Sequence, residues 1–288
     1  MFTIGSVEHV EVMILIDNSV GIVRDVIAEW GFSALIKVYG SETLSILYDL
    51  GQSGTALLHN MKVLKVNPEN VRYIILSHGH FDHTGGLKAF IKKHGRGKIV
   101  IAHPKVFEKK VLMRGKVLDY IGVSVSKKFL ERKTTLITCK NPLKLCDGVL
   151  FSGEIERYGY PEFCEGMYVI KDDGEVVEDK MLDDSALIIN VKDKGLVIIT
   201  GCGHSNILNI VKHAERITGV SKLYAVIGGL HLLSSDDKTI SEVLNNLTSL
   251  GASIICPTHC SGLKIIHALM LRKPEIYVEG GVGKVIKI

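Results

Sequence analysis

The segment Ser77-His78-Gly79-His80-Phe81-Asp82-His83 constrains this chain more than any other feature. It follows the apolar run Val71 to Leu76, which reads as a buried strand. It leads into Thr84 to His94, which reads as a helix with Leu87, Phe90 and Ile91 inward, Lys88, Lys92 and Lys93 outward, and Gly95 as terminator. The glycine at 79 lets the chain turn tightly, so His78 and His80 can grip one cation. Asp82 and His83, at the start of the helix, point toward a neighbouring position. Imidazole and carboxylate donors suit zinc, and also iron or manganese. Two ions roughly 3.5–4 Å apart can share a water and lower its pKa toward neutrality, which makes a nucleophile. The plain alternative is a hydrogen-bonded loop rich in histidine.

Three later strands also end in histidine. His204 follows Thr200-Gly201-Cys202-Gly203, His231 follows Gly228-Gly229-Leu230, and His259 follows Pro257-Thr258. In open α/β sheets the carboxyl ends of strands are where ligands bind, and six histidines at such exits are hard to explain as coincidence. His9, His59, His94, His213 and His267 lie in helical or edge contexts and are read as non-functional.

The remaining pattern is that of an α/β layered fold. Strands are expected at 10–16, 33–38, 44–49, 99–102, 186–191, 196–200, 223–227 and 253–256, with a hairpin turn at Asp193-Lys194-Gly195. Helices are expected at 52–64, 207–217 and 239–250, and Val20 to Trp30 reads as a short helix or an ordered loop, capped by Asn18-Ser19 and ended by Gly31. Residues 105–182 are less regular and read as an inserted lid within a single domain spanning 1–288. Lys105 to Lys133 holds nine basic residues against three acids; a solvated face and a lid that attracts an anionic, phosphate-bearing substrate are both consistent with it.

The formal charge of +4 is too mild to suggest a nucleic-acid binder. No apolar run approaches the roughly 20 residues needed to span a bilayer, and Met1 to His9 lacks the form of a signal peptide. These features point to the cytoplasm, where the six scattered cysteines (139, 146, 164, 202, 256, 260) are expected as free thiols. Gln52 is the only glutamine, a thermophile trend, although ten asparagines and seven methionines run against it.

Leu76-Ser77-His78-Gly79-His80-Phe81-Asp82-His83-Thr84-Gly85-Gly86-Leu87 is similar to the signature of the metallo-β-lactamase superfamily. Leu47-Tyr48-Asp49-Leu50-Gly51 resembles its first motif, whose aspartate supports the metal site without binding metal. More narrowly, the chain resembles the subfamily named for 7,8-dihydropterin-6-methyl-4-(β-D-ribofuranosyl)aminobenzene-5′-phosphate synthase. The matching stretches are Asp17-Asn18, Trp30 to Ile36, Ser152 to Ile155, Asp183 to Leu187, Thr200 to His204, Gly228 to Leu232 and Thr258 to Gly262.

The resemblance implies an α/β, αββα four-layer sandwich with two divalent metal ions, zinc first and manganese or iron(II) as alternatives, at one edge. It makes His78, His80, Asp82 and His83 metal ligands and His259 the C-terminal ligand of the second metal, with His204 as the candidate for the remaining ligand. Most members place a histidine before the hairpin and a bridging aspartate after it. Here no histidine lies between 104 and 203, and Cys202 or His204 stands near the aspartate's place. Asp82 and His231 are the candidate catalytic residues, His231 being read as a general acid, a further ligand or a core histidine. Glu154, Arg157, Asp184 and His103 are further groups that could face the site.

The reaction so implied is a pterin-pathway condensation in which a dihydropterin diphosphate loses pyrophosphate to an aryl-amine ribotide. The rivals are a phosphodiesterase-like hydrolase using a metal-activated water, and a non-catalytic or redox metal module. A nucleic-acid-processing role is disfavoured by the low aromatic content, 6%.

Overall fold

Period-two alternation along the strands separates two apolar faces. Val10, Val12 and Ile14 face one cluster of buried residues, while Leu15 belongs to another; Leu187 and Ile189 face the first, and Ile188 a third. Buried on both faces, such strands read as near-continuous apolar runs. Each Val, Leu or Ile so buried contributes about 1.5–3 kcal/mol.

The computed structural model describes residues 4–288, so the N-terminal reading falls partly on residues 1–3, outside the described residues. The first part runs β1 (His9–Ile16), β2 (Ser33–Tyr39), β3 (Thr43–Tyr48), α1 (Gly54–Val63), β4 (Tyr73–Ile75), α2 (Phe81–Thr84), α3 (Leu87–His94) and β5 (Ile99–Ala102). The middle holds β6 (Lys109–Arg114), β7 (Val117–Tyr120), α4 (Lys127–Lys133), β8 (Thr135–Thr138), β9 (Leu143–Cys146), β10 (Val149–Phe151), β11 (Met167–Ile170) and β12 (Val176–Glu178). The last part runs β13 (Ala186–Val191), β14 (Gly195–Thr200), α5 (Ile207–Thr218), β15 (Leu223–Gly229), α6 (Asp237–Ser249), β16 (Ile254–Thr258), α7 (Leu263–Arg272) and β17 (Val285–Lys287).

Two mixed sheets result, ordered β17-β1-β2-β3-β4-β5-β8 and β16-β15-β14-β13-β10-β9. Their facing sides share one core that includes Ile36, Ile46, Phe151, Leu187, Ile199 and Ile227. On the outer side of the first sheet pack Leu57, Met61, Leu87 and Phe90 of α1 and α3, with Leu130 of α4. On the outer side of the second pack Ile210 of α5, Leu244 of α6 and Leu269 of α7. The layers are therefore helix, sheet, sheet, helix, as expected. Strands β3, β4, β5 and β8 run parallel, as do β14, β15 and β16, so their carboxyl ends gather at one rim. The sheets are tied there by Ser185, which accepts from Tyr48 Oη at 2.9 Å and donates its Oγ to Ser77 O at 2.7 Å.

Of the two readings of residues 20–30 the loop holds, and they contain no helix. Asn18 does not cap one: its Oδ1 accepts from Gly31 N at 3.2 Å, and Asn60 Oδ1 accepts from Ile27 N at 2.8 Å. The helix expected from Thr84 begins at Phe81 and divides at Gly85, whose N–H is shared between Phe81 O and Gly51 O. The span 105–182 does not behave as one irregular lid. β8, β9 and β10 complete the two main sheets, and only β6, β7, β11 and β12 form a separate antiparallel sheet, ordered β12-β11-β6-β7. Helix α7 and strand β17, the latter paired with β1, were not anticipated.

The small sheet is anchored by a lysine of the basic stretch that reads either as a solvated face or as an anion-attracting lid. Lys110 is only 1% exposed and donates to Asp179, and to Asp183 Oδ1 at 2.8 Å. Burial opposes its charge, but the two carboxylates outweigh burial and raise its pKa. Asp183 Oδ2 in turn accepts from Gly79 N at 2.8 Å, which links the lid to the histidine loop. Lys110→Ala leaves two buried carboxylates without their cation and is expected to destabilise the fold by about 3–5 kcal/mol in urea titrations. A change below about 1 kcal/mol would mean that water reaches both carboxylates.

Candidate metal centre

The loop after β4 sits where it does because backbone from another segment crosses it at close range. A Cβ on Gly79 would stand 2.3 Å from Val106 O. The backbone at 79 does not have a positive φ, so close approach, and not a tight turn, is what demands glycine there. Across the rim, a Cβ on Gly201 would stand 2.1 Å from Ser77 Oγ, so the exit of β14 can pack directly on the exit of β4.

Within this frame His78, His80, Asp82, His83, His204, His231 and His259 converge. His78 Nε2 lies 3.0 Å from His80 Nδ1, and the His204 ring centroid is 5.0 Å from each of theirs. His83 Nε2 lies 3.3 Å from His259 Nε2, and Asp82 Oδ2 is 3.3 Å from His259 Nε2 and 3.9 Å from His83 Nε2. Two adjoining donor clusters follow, His78/His80/His204 and Asp82/His83/His259. Cys202 Sγ belongs with both: it lies within 4.8 Å of donor atoms of His78 and His204, and likewise of His83 and His259.

Hydrogen bonds behind the rings fix which nitrogen is free. Ser77 Oγ donates to Asp49 Oδ2 at 2.6 Å, so it can only accept from His78 Nδ1 at 2.9 Å, which leaves His78 Nε2 as a lone pair. His83 Nδ1 donates to Asp49 Oδ2 at 2.7 Å, His204 Nδ1 to Phe163 O at 2.8 Å, and His259 Nδ1 to Asn18 Oδ1 at 3.1 Å. Each of these rings therefore presents Nε2 inward, the arrangement by which second partners orient metal-binding imidazoles. Lone pairs of His83 and His259 so opposed repel unless a cation or proton lies between them. His80 Nε2 and His204 Nε2 are buried with no hydrogen-bond partner. The donor set thus fits divalent cations.

The electrostatics agree. Burial lowers the pKa of His78, His80 and His204, keeping them neutral and able to ligate. Burial also opposes charge on His83, but the carboxylates of Asp82 and Asp49 outweigh it and raise its pKa to about 9. For Asp82 burial favours the neutral form, and His83 and His259 override it, holding the carboxyl below its ordinary range. A field that retains a proton on a buried imidazole also favours a metal cation.

Several supporting residues were not anticipated in their roles. Asp17 Oδ1 accepts from His259 N at 2.8 Å, and Asn18 Nδ2 donates to His259 O at 3.1 Å. They clamp a residue held at φ +48, an uncommon conformation for a non-glycine residue; Asp49 and His231 share it at φ +53 and φ +51. The lone tryptophan, Trp30, meets the His259 ring edge-on with centroids 4.9 Å apart. Their only sequence signals were the Asp17-Asn18 and Trp30 stretches of the family resemblance.

His231 stands beside His204, ring centroids 4.0 Å apart, with Nδ1 buried and without a partner. It lines the same cavity of ≈ 420 Å³ as His80, Asp82 and Cys202, which Leu112, Arg114 and Met167 of the small sheet roof. Four other expected groups serve as supports. Glu154 pairs with His103 and Lys140, Arg157 with Glu162, and Asp184 accepts from Ser205 N and Oγ at 2.8 and 2.6 Å; none of these, His103 included, lines that cavity. Asn18→Ala removes one His259 partner and is expected to weaken metal affinity about 10–100-fold in chelator competition. Unchanged affinity would show that His259 is positioned without it.

Residues 31–136 match the metallo-beta-lactamase superfamily. The chain is 33% identical over 296 residues to the 7,8-dihydropterin-6-methyl-4-(β-D-ribofuranosyl)-aminobenzene-5′-phosphate synthase of Methanocaldococcus jannaschii, covering 100% of this chain and 99% of that one. It is 34% identical over 278 residues to an uncharacterized protein of the same organism, covering 96% and 100%. Among solved structures, a metal-dependent hydrolase of the beta-lactamase superfamily superposes with a TM-score of 0.81 at 25% identity, covering 97% and 99%. A metallo-beta-lactamase fold protein from Bacillus subtilis superposes at 0.58 with 14% identity, covering 98% and 100%, a likeness of fold alone. End-to-end likeness to the synthase and a histidine-lined rim on a four-layer sandwich lead to one conclusion: this chain belongs to the metallo-β-lactamase superfamily.

Proposed function

We propose that this chain is a metal-dependent synthase that joins two phosphate-bearing small molecules, a dihydropterin diphosphate and an aryl-amine ribotide, with release of pyrophosphate. The observation that carries this reading is a second cavity, ≈ 480 Å³, beside the first. The two share Trp30 and His259 as their common wall, so two co-substrates can meet beside the metal-binding side chains. Likeness to the named synthase along the full chain supports the same reading.

His78, His80 and His204 would hold one divalent cation, and Asp82, His83 and His259 the other, zinc first by ligand type. When bound, the pair supplies positive charge against which a departing pyrophosphate is stabilised. The chain does the rest. Arg114, on the roof of the histidine-lined cavity, is more than half exposed and paired with Asp119 at 3.4 Å, and would exchange that partner for the anionic ends of the substrates. Leu233, Leu263 and Tyr277 give the second cavity an apolar wall for an aromatic ring. His231, its Nδ1 unpartnered beside that chemistry, donates a proton to the leaving group, and Asp82 Oδ2 faces the same position as His83 Nε2 and His259 Nε2. We place the reaction in the cytoplasm, where its six free cysteines persist as thiols. Among the described residues no helix is long and apolar enough to cross a membrane.

A second reading, a phosphodiesterase-like hydrolase, draws on likeness to the metal-dependent hydrolase. Turnover separates them. The synthase releases pyrophosphate only when pterin diphosphate and amine are both present; cleavage of phosphodiesters without either would overturn it. His231→Gln is expected to lower kcat about 10²–10⁴-fold. Arg114→Ala should raise KM roughly tenfold or more with kcat little changed, as expected for loss of a charged hydrogen bond to substrate.

A further inference from the structure

We propose that Cys202 bridges the two metal positions as a thiolate. This rests on the two-cation reading above.

The geometry points to a shared ligand. Of the three donor triples at the rim, one is His78, Cys202 and His204, another His83, Cys202 and His259, and the third Cys202, His231 and Cys260, so the Cys202 sulfur belongs to both histidine clusters while Cys260 belongs to neither. Its Sγ lies 3.1 Å from His83 Nε2. The residue is 3% exposed, and the unpartnered Nε2 of fully buried His204 belongs to one of the same triples.

Among the described residues, the carboxylates near the rim are committed elsewhere. Asp49 accepts from Ser77 N, Ser77 Oγ and His83 Nδ1. Asp17 takes the His259 and Asn18 amides, Asp184 takes Ser205, and Asp82 sits with His83 and His259 alone. The neighbouring thiol, Cys260, directs its Sγ at Cys202 O, 3.5 Å away, and faces His231. Only Cys202 stands between the clusters. A metal-bound thiol is deprotonated outright, the proton passing to solvent, and thiolate contributes the one negative charge that a bridging carboxylate would. Sulfur also favours zinc or cobalt over magnesium or calcium.

Cobalt(II) titration of the metal-stripped protein reads the bridge directly. Wild type should take two equivalents, show a thiolate-to-cobalt charge-transfer band in the near ultraviolet, and lose cobalt EPR intensity as the second ion couples to the first. Cys202→Ser should lose the band and that coupling. Cys202→Asp should lose the band yet hold two equivalents, which keeps the test valid if the serine variant folds poorly. Cys260→Ser should keep the band. A band that survives in Cys202→Ser, or that disappears in Cys260→Ser instead, overturns the bridge while the two-cation reading stands. Failure of wild type to take up a second equivalent overturns both.

Discussion

The carboxylate of Asp49 is the point on which the rim is built. It is fully buried at the end of β3 and accepts three hydrogen bonds, from Ser77 N, Ser77 Oγ and His83 Nδ1. A buried carboxylate persists only with such partners. The same bonds set the start of the histidine loop, the protonation of His78 through Ser77, and the ring orientation of His83. The inward-facing lone pairs of His78 and His83, and part of the charge field that favours a cation, descend from that contact. It also explains the positive φ of Asp49, a strained conformation stabilised by what its side chain holds.

Much of this was legible in the sequence. Strand and helix periods locate most of the two-sheet framework because the central strands are buried on both faces and read as apolar runs, as in Leu196 to Thr200. Histidines at strand exits mark the rim because parallel strands deliver their ends to one edge. What the sequence did not disclose depends on contacts between distant segments. Nothing local distinguishes Lys110 from its eight basic neighbours; only Asp179 and Asp183, some seventy residues on, make it an interior cation. Asn18 has the look of a helix cap and instead holds His259, 241 residues away. The lid was misjudged for a related reason: β8 to β10 are short strands whose place in the main sheets is set by partners, not by their own pattern.

This scaffold supports many reactions, so function rests on what surrounds the metal-binding side chains. Here that is a roof from an inserted sheet bearing Arg114, and a divided cavity with Trp30 and His259 at its waist. The waist carries the two-substrate reading, since a single phosphodiester needs only the histidine-lined chamber.

Anomalous difference maps from crystals of the protein as purified, recorded at the absorption edge of its metal, bear on the core idea most directly. Two peaks roughly 3.5–4 Å apart are expected, one among His78, His80 and His204 and the other among Asp82, His83 and His259. A single peak, or peaks elsewhere on the surface, would contradict a paired metal centre at this rim.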